Sequence, residues 1–395
     1  MKKVSRRVLI KTAGAALAAP ALAHAQNAQT GTTPSVITNP PRDFGSTGEP
    51  VSFYPDPDVV SNSPAFDALV PPNANIRRLW TGALWCEGVA WSGQGRYLIW
   101  CDTSEDRIYR MVEDGHVDVF RKPSNYTNGN TFDYQGRQIS AEHLFRRVVR
   151  YEHDGTITLI ADSFEGKRLN SPNDVVAHRD GSIWFTDPPY GGSIFQGQPD
   201  EPGGPTNAAG ILLPKVGEPL GAGGLKRSLP NSIYRVDASG RIERVIGEDT
   251  VPDPNGLAFS PDYKKLYVMS TRKGPGDPAS LPEKLEAYVF DVGDNNRVSN
   301  QKVFCDYKVD GIVCRGDGVR CDAAGNVWIS SNAGRALGYS GVTCWSPQGQ
   351  FLGRIRLPEV CASLCFGGPK RNRLFMGATQ SIYAIYLNTQ GAGPA

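Results

Sequence analysis

Five times along the chain, a polar residue able to ligate a metal sits eight positions ahead of the same place in a tight turn. The residues are Glu87, Asn128, Asn173, Asn255 and Asp317. The turn positions are Gly95, Gly136, Gly181, Tyr263 (in Ser-Pro-Asp-Tyr) and Gly325. A short apolar strand follows each one: Tyr-Leu-Ile-Trp, Gln-Ile-Ser-Ala, Ile-Trp-Phe-Thr, Leu-Tyr-Val-Met and Val-Trp-Ile-Ser. Strand, turn and strand repeated in this way mean one structural unit used again and again. A polar residue kept at one phase of that unit brings distant parts of the chain to a common point.

Each opening pair leads to a third strand of similar character, including Arg107-Ile-Tyr-Arg, Ser232-Ile-Tyr-Arg and Ser381-Ile-Tyr-Ala, and five of the six units then show a fourth. The sixth unit, opening near Ala362-Ser363, runs out after its third strand, while Ile76-Arg-Arg-Leu-Trp80 stands unused ahead of the first. Six four-stranded units, the last completed by an N-terminal strand, describe an all-β, six-bladed β-propeller over residues 76–388. Closing the ring with a borrowed strand leaves no open end to fray or aggregate. Residues 26–75, rich in Pro, Ser, Thr and Asn, read as an extended arm, and 389–395 as a C-terminal tail. A Gly/Pro-rich insertion at 190–230 should border the polar ring as a lid, and Cys305 to Gly316 should edge the same face.

The 44 Gly and 30 Pro with 21% charged residues suit many short strands and turns. Five cations and no acid lie in residues 1–25, so the formal charge of +2 becomes −3 without them. A near-neutral body with no basic stripe argues against a nucleic-acid partner. Those first 25 residues read as an export signal: a basic start, an apolar run from Thr12 to Leu22, and Ala23-His24-Ala25 as the cleavage site. The run is too short to span a bilayer, so the mature chain is expected to have no membrane span. Ser5-Arg6-Arg7-Val8-Leu9 resembles a twin-arginine signal, which implies the twin-arginine export machinery and a periplasmic destination.

Eight cysteines are compatible with an oxidising compartment, and none forms a C-x-x-C pair. Cys101, Cys321 and Cys344 fall inside apolar strand patterns. Cys86, Cys305, Cys314, Cys361 and Cys365 fall in or beside loops, where one or two disulfides are expected to be possible.

The first strand of each blade lines the channel, so the residues opening those strands face one another at its mouth. One Glu, one Asp and several Asn offer only hard oxygens, which suit Ca²⁺, Mg²⁺ or Mn²⁺ better than a thiolate-seeking metal. Asn, Asp and Gly also precede strands simply because they make turns, and a lone Asn-Gly usually does no more. Turn chemistry does not call for Glu at blade one, nor for a shared offset of eight. A second tier lies fifteen residues further on: Asp102, His143, Ser270 and Asn332, with Asp187 one short of that spacing. His143 can bind a substrate hydroxyl as a neutral imidazole or serve structurally, and Asp102 and Asp187 can equally cap strand ends.

Cys-Glu87-Gly-Val-Ala-Trp, Ser-Pro-Asn173-Asp-Val, Pro-Asn255-Gly-Leu-Ala-Phe-Ser, Gly-Asp317-Gly-Val-Arg-Cys-Asp and Cys365-Phe-Gly-Gly resemble the SMP-30/gluconolactonase/luciferin-regenerating-enzyme family over about residues 80–388. The resemblance implies one divalent metal ion, Ca²⁺ first with Mg²⁺, Mn²⁺ or Zn²⁺ as options, held by Glu87, Asn173, Asn255 and Asp317. It implies Asp317 as proton acceptor and hydrolysis of a small-molecule lactone or ester, a sugar lactone by default. Asn128, from its ring position at the opening of blade two, and His143, from the second tier, are expected as substrate contacts. Family members often carry an Arg two residues before the blade-three Asn; here Ser171 stands there, and Arg168 lies three residues further back. Blade six offers Ser363 or Ala362 in place of an Asn. The competing expectations are an arylesterase or phosphotriesterase on the same fold, and a non-catalytic ligand-binding propeller.

Overall fold

A computed structural model describes residues 54–192, 227–274 and 276–394. The export signal at 1–25 and most of the 190–230 insertion fall outside the described residues. Six antiparallel sheets stand around a central axis, and their innermost strands pack against one another in a closed ring. Those strands are Cys86–Ser92, Thr127–Phe132, Val175–Ala177, Pro254–Phe259, Arg315–Cys321 and Cys361–Gly367. Arg77–Thr81 pairs with Ser381–Tyr386, Arg77 opposite Ala384, and so supplies the outer strand of blade six. Among the described residues no helix is long and apolar enough to cross a membrane.

Each inner strand returns through the turn that the spacing predicts. Gly136, Gly181, Tyr263 and Gly325 all have positive φ, and each donates its amide to the carbonyl three residues earlier. Blade one differs by one residue: Arg96, with φ 54°, takes the left-handed position and donates to Ser92 O. Gly95 is small there for packing, because a Cβ would meet the Ser92 hydroxyl and the Tyr97 ring.

The layers between blades are filled by apolar side chains of the second and third strands, among them Trp100, Trp184, Trp328, Phe185, Phe375 and Tyr234, all essentially inaccessible. The arm also contributes, in more than the extended form expected of it. Val59–Ser61 pairs with Phe351–Arg356 as a fifth strand of blade five. The Ser63 side chain then caps the helix Pro64–Leu69, accepting from Phe66 N. Phe66 is fully buried against Trp328, with ring centroids 6.0 Å apart. At the far mouth of the channel the C-terminal tail lies over the inner strands, with Ala392 N donating to Cys321 O and Arg371 bonded to the Gly393 carbonyl.

The disulfide expectation is corrected: all eight thiols are buried and unpaired. Cys86, Cys305 and Cys361 stand at strand ends beside loops and Cys314 between two strands, while Cys365 lies within an inner strand. Burial pushes the Cys305 and Cys365 thiols up to about 12 and holds Cys86 and Cys361 well above their ordinary value. The reactive thiolate is therefore both inaccessible and unpopulated. A thiol reagent should modify none of them in the native protein and all eight after denaturation without reductant; a smaller final count would reveal a disulfide.

Candidate active site

The sequence brings a polar residue to the head of each inner strand, and the fold carries four of them to one place. Glu87, Asn173, Asn255 and Asp317 line a single cavity of about 200 Å³ at the channel mouth, together with Trp85, Tyr190, Thr271, Arg272, Arg315 and Asn332. Glu87, Asn173 and Asn255 are about 5% exposed, while Asp317 is half-buried. The Trp85 indole donates to Glu87 Oε1 at 3.0 Å and so orients that carboxylate.

The ring is tight because of the residue after each ligand candidate. A Cβ on Gly88 would overlap the Asn128 carbonyl oxygen, one on Gly129 the Asn173 carbonyl, and one on Gly256 the Asp317 carbonyl. On Gly318 it would sit 2.9 Å from Ala362 O. The Xaa-Gly pairs are thus contacts between neighbouring inner strands, a signal present in the sequence that turn chemistry masks. Blade three breaks the series with Asp174, whose carboxylate accepts from Val175 N at 2.9 Å and stands 3.4 Å from Arg320 Nη1, buried inside the channel.

Asn128 and His143 are not among the residues lining the cavity. Asn128 is 3% exposed, and its carbonyl serves the contact with Gly88. His143 is 1% exposed, and neither ring nitrogen has a hydrogen-bond partner. Of the second tier, Asn332 reaches the cavity. Asp102 instead accepts from the Leu84 and Trp85 amides, and Asp187 from those of Asn170 and Ser171. Burial raises these carboxyls to about 6 and about 7 against the pull of the backbone donors. Blade six contributes no ligand-like side chain to the cavity; Ser363 Oγ accepts from Val89 N.

Arg272 and Arg315 were not anticipated. They bring guanidinium groups to the cavity from blades four and five, where Ser171 removes the cation expected beside Asn173. Arg168 does not substitute for it, since its Nη2 donates to Phe145 O on the surface. Tyr190 is held by its hydroxyl, which donates to Arg272 O at 2.6 Å, and the Arg272 guanidinium lies 5.4 Å from the Tyr190 ring centroid.

Burial drives the His143 pKa from 6.5 down to about 3, so the ring is neutral at pH 7. The unfolded chain takes up this proton near pH 6.5 and the folded protein only near 3. Between those values the unfolded state binds more protons, so stability falls as pH is lowered through that window. His143→Gln should flatten this acid limb by a contribution on the order of a few kcal/mol, read from urea midpoints against pH. An unchanged limb would show that another group is responsible.

The donor set fits a hard divalent cation. Two carboxylates and two side-chain amides line one cavity, with Arg272 and Arg315 offsetting part of the carboxylate charge, and among the described residues no thiolate or imidazole lines it.

Residues 85–380 match the SMP-30/Gluconolactonase/LRE-like region. A gluconolactonase from Zymomonas mobilis is 26% identical over 353 residues, covering 84% of this chain and 87% of the relative. The structure of a gluconolactonase from Xanthomonas campestris superposes with TM-score 0.66 at 30% identity, over 88% of this chain and 98% of that one. A luciferin-regenerating enzyme, 18% identical, shares the fold with TM-score 0.58 over 81% of this chain and 98% of its own. The chain belongs to the SMP-30/gluconolactonase/LRE-like family.

Proposed function

We propose that this protein is a divalent-metal-dependent lactonase that opens a sugar lactone, with Glu87, Asn173, Asn255 and Asp317 holding the ion. The observation that carries this reading is the meeting of those four side chains with Arg272 and Arg315 in one cavity. Its relatives from Zymomonas mobilis and Xanthomonas campestris, both named gluconolactonases, support the substrate class.

A bound divalent ion supplies Lewis acidity toward a carbonyl oxygen, lowering the barrier to attack at the carbon. Asp317, half-buried at the mouth, accepts a proton from the attacking water. As the bond from the carbonyl carbon to the ring oxygen breaks, the same proton passes from Asp317 to that oxygen, leaving a hydroxy acid. Trp85 keeps Glu87 oriented through the indole hydrogen bond. Arg272 and Arg315 donate to ring hydroxyls and favour the carboxylate product by charge. Trp85 and Tyr190 supply apolar faces for the ring. Export directed by residues 1–25 puts this activity in the periplasm.

A pH-stat comparison of aldonolactones, simple lactones, aryl esters and phosphotriesters tests the assignment. Aldonolactones should show the highest kcat/KM. Faster turnover of an aryl ester or phosphotriester would overturn the substrate class, and no turnover of any of them would favour a binding propeller.

A further inference from the structure

Behind the cavity wall lies a second cluster of oxygens. Asp253 is fully buried, and neither of its carboxylate oxygens receives a hydrogen bond. It stands within hydrogen-bonding reach of the Asp277 carboxyl. The Asp277 side chain is itself buried: Oδ1 accepts from Arg227 Nη1 at 3.0 Å and from Asn231 Nδ2 at 2.9 Å, and Oδ2 from Gly274 N at 2.7 Å. The Asn231 amide also donates to Pro252 O at 2.9 Å, yet its Oδ1, on a fully buried side chain, has no partner. Three buried oxygens, two on Asp253 and one on Asn231, therefore belong to residues that touch Asp277 and have nothing donating to them.

Burying acceptors without donors is unfavourable, and burying a carboxylate beside another is more so. The nearby cations do not relieve this. Arg227 is shared between Asp277 and Glu248, and Lys273 Nζ donates to the Pro278 and Ala279 carbonyls at 3.3 and 3.0 Å. Negative charge exceeds positive, and the free groups are all hard oxygens, the donors that Ca²⁺ takes in flexible geometry.

From this geometry we infer that Asp253, Asp277 and Asn231 form a second, buried calcium site, separate from the channel mouth. None of the three lines the mouth cavity. The site ties together the segments that build its rim. Asp253 lies two residues before Asn255, and Asp277 lies in the loop that follows Thr271 and Arg272. Asn231 follows Arg227 at the end of the insertion, and Tyr190 packs against Gly274, where a Cβ would be 3.0 Å from its ring. An ion here would hold the rim in place and take no part in the chemistry.

Calorimetric titration of the chelator-stripped protein with Ca²⁺ tests this. The wild type should bind two tight ions per chain, and Asp253→Asn and Glu87→Gln one tight ion each. In the Glu87→Gln background, Ca²⁺ too dilute to fill the weakened mouth site should still raise the melting temperature, and adding Asp253→Asn should abolish that rise. The isosteric amide preserves the shape of the site, and matching apo melting curves for the Asp253→Asn and wild-type proteins would show that it folds. Two ions retained in Asp253→Asn would overturn the proposal. So would a single wild-type ion lost in Glu87→Gln, which would leave the two carboxyls sharing a proton. A single wild-type ion lost only in Asp253→Asn would uphold it and instead remove the ion from the mouth.

Discussion

Asp317→Asn should reduce lactone turnover by about 10² to 10⁴-fold while leaving the fold intact. Asp317 lies half-buried at the mouth of the channel, at the head of the blade-five inner strand, where an isosteric amide fits without repacking. The amide cannot accept the water's proton, so the loss should appear in kcat and persist at saturating metal. Glu87→Gln should behave differently. Glu87 is more deeply buried and oriented by Trp85, so its loss should weaken metal binding first, and excess metal should restore much of the activity. Recovery of Asp317→Asn by metal alone would show that the residue is only a ligand.

Gly88→Ala should destabilise the protein by about 3–5 kcal/mol and remove activity with it. Gly88 has φ 53°, which an L side chain adopts at a penalty of about 1–2 kcal/mol. The larger effect is steric: the new methyl would overlap the Asn128 carbonyl and lie 2.7 Å from Asn130 Nδ2, both buried inside the ring. Relief requires blades one and two to move apart, which would displace Glu87 from the cavity. Gly115→Ala is the control, since Gly115 has φ 88° with nothing within 4 Å of a Cβ. It should lose only the backbone penalty of about 1–2 kcal/mol. Equal urea midpoints for the two variants would refute the role given to the inner-strand glycines.

The architecture was legible because a propeller repeats one local pattern. Alternating apolar strands, turns with positive φ at Gly136, Gly181, Tyr263 and Gly325, and an unused strand before Cys86 all point to the ring that is seen. The four residues in the cavity were legible for the same reason: a fixed phase in a closed repeat becomes a fixed place. Phase says less about side chains one strand further on. Asp102 and Asp187 share the second-tier spacing with Asn332, yet they turn to backbone amides while Asn332 reaches the cavity. Arg272, Arg315, Trp85 and Tyr190 lie in or beside loops, and their approach to the axis follows from blade packing that no local pattern encodes. Gly88, Gly129, Gly256 and Gly318 were visible all along, but a glycine after Asn or Asp looks the same whether it serves a turn or a contact between strands.

In the proposed mechanism, the ring at the channel mouth holds an ion that lactone opening requires. Its most direct test is to strip the mature protein with a chelator, then follow bound Ca²⁺ and aldonolactone hydrolysis together as the ion is returned, in the wild type and in Glu87→Gln. Activity should be absent in the stripped protein, return in proportion to occupancy of a site that Glu87→Gln weakens, and saturate with it. Full turnover in the stripped protein, or recovery indifferent to Glu87, would contradict the account.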